Sequence, residues 1–392
     1  MGILDGIKVV ELAQIFAGPG TAMYLADQGA DVIKIEPVTG DQCRYYVQGE
    51  RPFAVLNRNK RGIALDITKP EGKEILYRLT DRADVYINNF RPGVAERLAC
   101  DYATLSARNA GLVYAWVTGW GEHGPYADKL AYDRLLQGFA GLMGANRRPD
   151  GYPMQLPLWP ADCAMPMLLG FGIMMALWDR LRTGKGQVVT TSLLQTTIAL
   201  QSIQLVATEA DPKLRPDATV YHTYRCQDGI YVNLGILNER DWRNLCHAVE
   251  LEDLPDDPRF DTIPNRSANM QQLFDTLQAR FAQRSSDDWV QRLHACEVPA
   301  APIIERQRLF TEPQVRENGM LLEQEHPALG RVTMIAPPLH MSAATSEMRR
   351  PAPAIGQHTA EVLGELGYTG TEIRSLAEGN VVRLGGPGAA SS

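Results

Sequence analysis

Asp162 is the sharpest candidate for chemistry in this chain, because Trp159-Pro160-Ala161 precedes it and a long apolar run follows it. A carboxylate at such a boundary sits near a helix N-terminus, partly buried, where it can be held in one orientation. A simple helix cap uses the same residue at the same place. Asp133 lies at a second element boundary. The loop Gln14-Ile15-Phe16-Ala17-Gly18-Pro19-Gly20 follows a strand and opens a helix, where backbone N–H groups can hold a phosphate or a carboxylate. Its glycines miss the G-x-G-x-x-G spacing and Pro19 removes a donor, so a nicotinamide site has only fold-level support, and a tight turn is the alternative. Arg58, Lys60 and Arg61 place three cations just before a strand, suited to phosphates or to a solvated turn. Asn88 to Gly93 reads as a pocket edge or a helix start. The stretch from Gly119 to Tyr126 can approach a ligand closely and wall it with aromatic rings, or form a turn packed by Trp120.

Other chemistries are disfavoured by spacing. The seven histidines are scattered, with no H-x-x-x-H and no cysteine cluster, so no metal is expected. Ser192 and Ser202 lack a glycine-framed nucleophile elbow. Cys163 adjoins Asp162, but its apolar neighbours point to an inert buried thiol. The six cysteines form no close pairs, which suits a reducing compartment, and a cytoplasmic protein is expected. With 39 Lys and Arg against 46 Asp and Glu, the formal charge of −7 argues against a nucleic-acid surface. The start shows no signal-peptide pattern, and no window suggests a membrane-spanning helix.

These residues need elements to position them. Short β-branched runs at 7–12, 31–35, 62–67, 84–88, 112–117 and 188–191 alternate with helical stretches at 21–28, 70–79, 94–98 and 103–108. That rhythm predicts an α/β fold whose mostly parallel sheet is covered on both faces, a Rossmann-like large domain. Ala164 to Leu181 is apolar on nearly every face, with Pro166 and Gly184 expected to mark its ends, and suits a buried helix or a subunit contact. Another apolar helix is expected through Leu205, and a linker over 208–218. Residues 220–300 offer a strand pair at 221–224 and 230–234 and helices near 239–249, 267–281 and 286–295, a smaller α+β domain. A helix near 359–365 and a frayed tail from Gly385 close the chain.

Taken together and in order, these pieces resemble the class III CoA-transferases, the CaiB/BaiF family that includes formyl-CoA transferase. The resemblance runs from Leu4 to about Val382. It rests on Leu4-Asp5-Gly6-Ile7-Lys8-Val9-Val10-Glu11-Leu12, Ala17-Gly18-Pro19, the run from Leu25 to Glu36, Gly40-Asp41, and Asn59-Lys60-Arg61-Gly62 with its following strand. It continues through Asn89-Phe90-Arg91-Pro92-Gly93, Gly119-Trp120-Gly121, Tyr132-Asp133, the Asp162 region, Arg182 to Gln187, Asp257-Pro258-Arg259-Phe260 and Gly356-Gln357-His358-Thr359.

The resemblance implies a coenzyme A thioester as substrate with no tightly bound cofactor, an acyl-CoA donor, a carboxylic-acid acceptor and no membrane or nucleic-acid partner. Asp162 falls at the family's nucleophile, with Tyr132 and Asp133 in support. Gln14, Ile15, Ala17, Asn89, Phe90 and Arg97 would border the CoA pocket. Phe16 stands where formyl-CoA transferase carries Gln, and the glycine-rich small-domain loop of some members has no counterpart near 225–240. An interlocked-ring homodimer is implied as well, with a large domain of residues 1–218 plus 321–392 and a small domain of 219–320. Two readings stand beside transfer: a 2-methylacyl-CoA racemase, whose His falls at Tyr132 here, and a nonenzymatic acyl-CoA-binding protein.

Overall fold

A computed structural model describes residues 2–46, 49–209 and 222–386. The chain divides into two compact units, Met1–Ser202 with Gly319–Ser392, and Ile203–Asn318. In chain order the first part of the larger unit contains β1 (Lys8–Leu12), α1 (Ala17–Asp27), β2 (Asp31–Glu36), α2 (Arg51–Leu56), β3 (Arg61–Leu65), α3 (Pro70–Thr80), β4 (Val85–Asn88), α4 (Val94–Leu98), α5 (Tyr102–Arg108) and β5 (Val113–Thr118). It continues with α6 (Asp133–Phe139), α7 (Leu142–Ala145), α8 (Pro160–Thr183), β6 (Val188–Ser192) and α9 (Leu193–Ala199). The smaller unit holds β7 (Thr223–Arg225), β8 (Tyr231–Leu234), α10 (Glu239–Ala248), α11 (Ile263–Ala268), α12 (Met270–Phe281), α13 (Ser286–Ala295), β9 (Ala300–Pro302) and α14 (Pro313–Glu317). The chain then returns to the larger unit through β10 (Leu321–His326), β11 (Gly330–Ile335), α15 (Thr359–Glu365), α16 (Gly370–Glu378) and β12 (Val382–Arg383).

Seven strands form one sheet in the order β12-β3-β2-β1-β4-β5-β6, all parallel except β12, which runs antiparallel to β3. Val9, Val32, Val85, Ile87 and Val113 point into one apolar core, and Val10, Ile35, Ile63, Leu65 and Tyr86 into the other. Burial on both faces is what makes these strands read as β-branched runs. The smaller unit packs α10, α12 and α13 on its three-stranded antiparallel sheet around Tyr224, Trp242, Phe281 and Trp289.

Several boundaries differ from expectation. Helix α1 starts at Ala17, so Pro19 lies inside its first turn, where a missing N–H leaves no intrahelical bond unmade. Helix α8 starts at Pro160 and takes in Pro166, whose lost donor frees only the carbonyl of Asp162 one turn back. Gly184 does end it, at φ 68° in the left-handed region that favours glycine. By length and composition α8 could cross a membrane, contrary to expectation, but here it packs along α1 and against β5 and β6. It buries one side and exposes the other, with Phe171, Met175, Trp178 and Leu181 each more than half exposed. Helix α9 ends at Ala199 rather than Leu205, and the expected helix at 267–281 is two, α11 and α12. The expected linker beyond residue 209, the strand start at Tyr221 and the tail beyond residue 386 lie outside the described residues.

Candidate active site

Sheet order sets where the site can be. The chain leaves β1 toward β2 on one side and later returns to β4 on the other, so the loops after β1 and β4 diverge at the carboxyl ends of adjacent strands. Such a reversal opens a crevice for ligands. A cleft of about 890 Å³ lies there, wholly within the larger unit, lined by Gln14, Ile15, Ala17, Asn89, Phe90, Arg97, Tyr132, Asp133 and Asp162. The nine residues that the family resemblance implies for the site thus line one cavity. The two diverging loops are tied together: Gln14 N–H donates to Asn89 Oδ1 at 3.1 Å, and Asn89 Nδ2 donates to the Gln14 carbonyl at 2.7 Å.

Asp162 stands in the first turn of α8, whose N-cap residue, Trp159, supplies no side-chain acceptor. Asp133 caps the helix from outside instead. Its buried Oδ2 accepts from Ala161 N–H at 2.8 Å and Asp162 N–H at 3.2 Å, and its Oδ1 from Gln137 Nε2 at 2.7 Å. Asp162 is therefore capped rather than capping. Burial, with the Asp133 charge adding to it, pushes the Asp162 carboxyl up to about 7. Close approach between α1 and α8 brings the first loop to this carboxylate, because a Cβ on Gly20 would sit 2.8 Å from Pro166 Cγ.

Residues outside that set complete the cleft. Phe16 stacks between Tyr46 at 5.8 Å and Trp159 at 5.2 Å, giving a three-ring wall. The Tyr46 phenol is pushed upward by burial, with Tyr132, Cys43 and Asp162 adding to the effect. Arg91, Lys129 and Arg134 join Arg97 as cations on the lining. Arg91 was readable in its Asn-Phe-Arg-Pro-Gly context, whereas Tyr46 and Lys129 carry no local signal.

Two expectations fail. Arg58, Lys60 and Arg61 line no phosphate site and are not a solvated turn. They are buried, with Arg58 paired to Asp27 at 2.7 Å, Lys60 to Glu11 at 2.6 Å, and Arg61 to Asp31, Glu361 and Glu365. Cys163 is exposed rather than buried, and its thiol is raised by partial desolvation, then by Asp162 and Asp133. Among the described residues no group of three or more His, Cys, Asp or Glu is placed to hold a metal ion.

A parallel sheet with its cleft at the strand-order reversal, and a carboxylate on a helix N-terminus within it, define an α/β enzyme site. The chain belongs to CoA-transferase family III, whose model matches residues 4–359. It is similar to the succinate–glutarate CoA-transferase of Agrobacterium fabrum, 33% identical over 93% of this chain and 95% of that one. It is 30% identical to the human succinyl-CoA:glutarate CoA-transferase, over 97% of this chain and 90% of that one. A crystal structure of a CAIB/BAIF family protein from Brucella suis matches with TM-score 0.83 and 34% identity, over 93% of this chain and 99% of that one. The protein is accordingly a transferase of class III, acting on CoA thioesters.

Proposed function

We propose that the protein moves coenzyme A from an acyl-CoA donor to a free carboxylic acid with Asp162 as nucleophile. The observation that carries this reading is the Asp162 carboxylate, held by Asp133 through the helix backbone and facing the cleft beside the loops after β1 and β4. In the first step an Asp162 oxygen attacks the thioester carbonyl, the C–S bond breaks, and a mixed anhydride and CoA thiolate result. The thiolate then attacks the aspartyl carbonyl, the donor acid leaves as its carboxylate, and the enzyme holds CoA as a thioester. The acceptor carboxylate attacks that thioester and the same steps run in reverse. No net proton is gained or lost, so no separate base is required.

Arg97, Arg91 and Lys129 supply charge for the CoA phosphates, since cations make charge-assisted hydrogen bonds to phosphate oxygens. The Phe16 stack is the wall against which the acyl group lies. The names of the relatives favour a short dicarboxylate as acceptor. The exposed apolar side of α8 supports self-association, in keeping with an interlocked homodimer, and the six free cysteines support a reducing, cytoplasmic setting.

Mass spectrometry of the protein mixed with succinyl-CoA and quenched with hydroxylamine tests the mechanism. The expected result is a hydroxamate at Asp162, absent from Asp162→Ala. An unmodified Asp162 across a panel of acyl-CoA donors overturns it.

A further inference from the structure

Ile15 lies on the cleft lining with φ at +75°, in the left-handed region that a β-branched residue avoids. Such a conformation is strained and persists only where surrounding groups hold it. Here the holder is visible. Ile15 N–H donates to Asp41 Oδ1 at 3.1 Å, and the same oxygen accepts from Cys43 N–H at 2.8 Å. Asp41 is fully buried, its own N–H donates to Glu36 Oε2 at 2.9 Å, and its Oδ2 forms an ion pair with Lys34 Nζ at 2.9 Å.

Beneath Asp41 the network reaches both ends of the loop. Lys34 Nζ donates to Glu11 Oε1 and to the Ala13 carbonyl, both at 2.9 Å. Lys60 Nζ donates to Glu11 Oε2 at 2.6 Å, to the Pro19 carbonyl at 2.8 Å and to Asn57 Oδ1 at 2.9 Å. Backbone groups of Ala13, Gln14, Ile15 and Pro19 are thus pinned from below or from the side, while Phe16 and Ala17 between them face the cleft.

We infer that Asp41 is a positioning residue for the transfer reaction: it holds Ile15 in its left-handed conformation, and so sets the Phe16–Ala17 segment against the reacting carboxylate of Asp162. The kinetic arm of the test rests on Asp162 being the nucleophile, whereas its exchange arm does not. Four full-length proteins are compared: the natural chain, Asp41→Ala, Ile15→Gly and the double variant. Hydrogen exchange at the residue 15 amide is expected to quicken at least about tenfold in Asp41→Ala, because its buried acceptor is gone.

The rate of Asp162 acylation by succinyl-CoA is expected to fall by about 10- to 100-fold in Asp41→Ala, but by no more than about threefold when Asp41→Ala is added to Ile15→Gly, since glycine takes positive φ without steric cost. Equal losses in both backgrounds would mean that Asp41 only caps the turn at Cys43, and would overturn the inference. So would unchanged exchange at residue 15. If Asp41→Ala does not fold, Asp41→Asn runs the same cycle, keeping an oxygen for Ile15 while losing the charge that Lys34 faces. A smaller loss with the same dependence on residue 15 then supports the inference, and independence from residue 15 overturns it. No acylation of the natural chain, with residue 15 exchange still dependent on Asp41, fails the nucleophile reading and leaves the clamp standing.

Discussion

Two charge clusters in this molecule set a glutamate among cations to different ends. Under the cleft, Glu11 lies between Lys34 and Lys60, all fully buried, with Asp41 beside them. In the smaller unit, Glu250 meets Arg280, Arg284 and Arg292 at a half-open surface. Burial separates their behaviour. Desolvation lowers Lys60 to about 8 despite Glu11, while Lys34 is raised because Glu11, Asp41 and Glu36 outweigh the same burial cost. Glu250 is held below the usual carboxylate range by its hydrogen bond to Arg280 and by the charges of Arg292 and Arg284. A buried cluster is costly to assemble and fixes backbone, whereas an exposed one is largely answered by water.

The contrast can be broken most severely at the carboxylate on the cleft above the buried cluster. Asp162→Ala should lower transfer by at least about 1,000-fold, measured as steady-state CoA exchange, because the proposed nucleophile is gone. Glu11→Gln should cost about 3–5 kcal/mol of unfolding free energy in urea titration, since it takes the shared carboxylate from two buried ammonium groups. Natural stability after that change would mean that Glu11 is no keystone.

The pH dependence sharpens the contrast further. With Asp162 as the proposed nucleophile, kcat/KM should climb with pH through about 7, and Asp133→Asn should move that limb to lower pH by removing a neighbouring negative charge. Stability carries the opposite sign. A folded-state value raised above the ordinary 3.8 gives stability that is full at low pH and is lost as pH rises through about 7. Asp162→Asn should therefore raise Tm by about 2–6 °C at pH 8 and leave it nearly unchanged at pH 4, by scanning calorimetry. At the small end, Glu250→Gln should move Tm by less than about 2 °C and leave transfer unaltered.

The same contrast explains what the sequence made legible. Parallel strands buried on both faces leave β-branched runs, so β1 to β5 could be read to within a residue or two, the more exposed edge strand β6 showed through Val188-Val189-Thr190-Thr191, and glycine- and asparagine-rich strand ends marked the loops that form the cleft. The smaller unit's helices showed through their amphipathic spacing. Arg58, Lys60 and Arg61 were misread because their acids, Asp27, Glu11 and Asp31, are 30 to 49 positions away, and no local pattern shows such a partner. Pro19 and Pro166 suggest helix boundaries in the sequence, since a prolyl residue in a helix's first or second turn is indistinguishable from one at its end until the start of that helix is known. Tyr46 lies on the cleft with its ring packed on Phe16, a contact 30 positions away in sequence.

Strand β12 has a consequence in time rather than space. Val382 and Arg383 pair with Leu65 and Ala64 at the edge of the main sheet, and α15 and α16 bring Val362, Leu363, Leu366 and Ile373 to the core on the same side. At about 5–20 residues per second, a ribosome leaves roughly 15–60 s between the emergence of β3 and that of its edge partner. Throughout that interval the nascent sheet has an open hydrogen-bonding rim and an uncovered apolar face, while the whole smaller unit is being made. A stop codon that removed only the last few described residues would leave α15 and α16 to cover the face but keep the rim open permanently, so the segment carrying β12 should tolerate truncation less well than its distance from the cleft suggests.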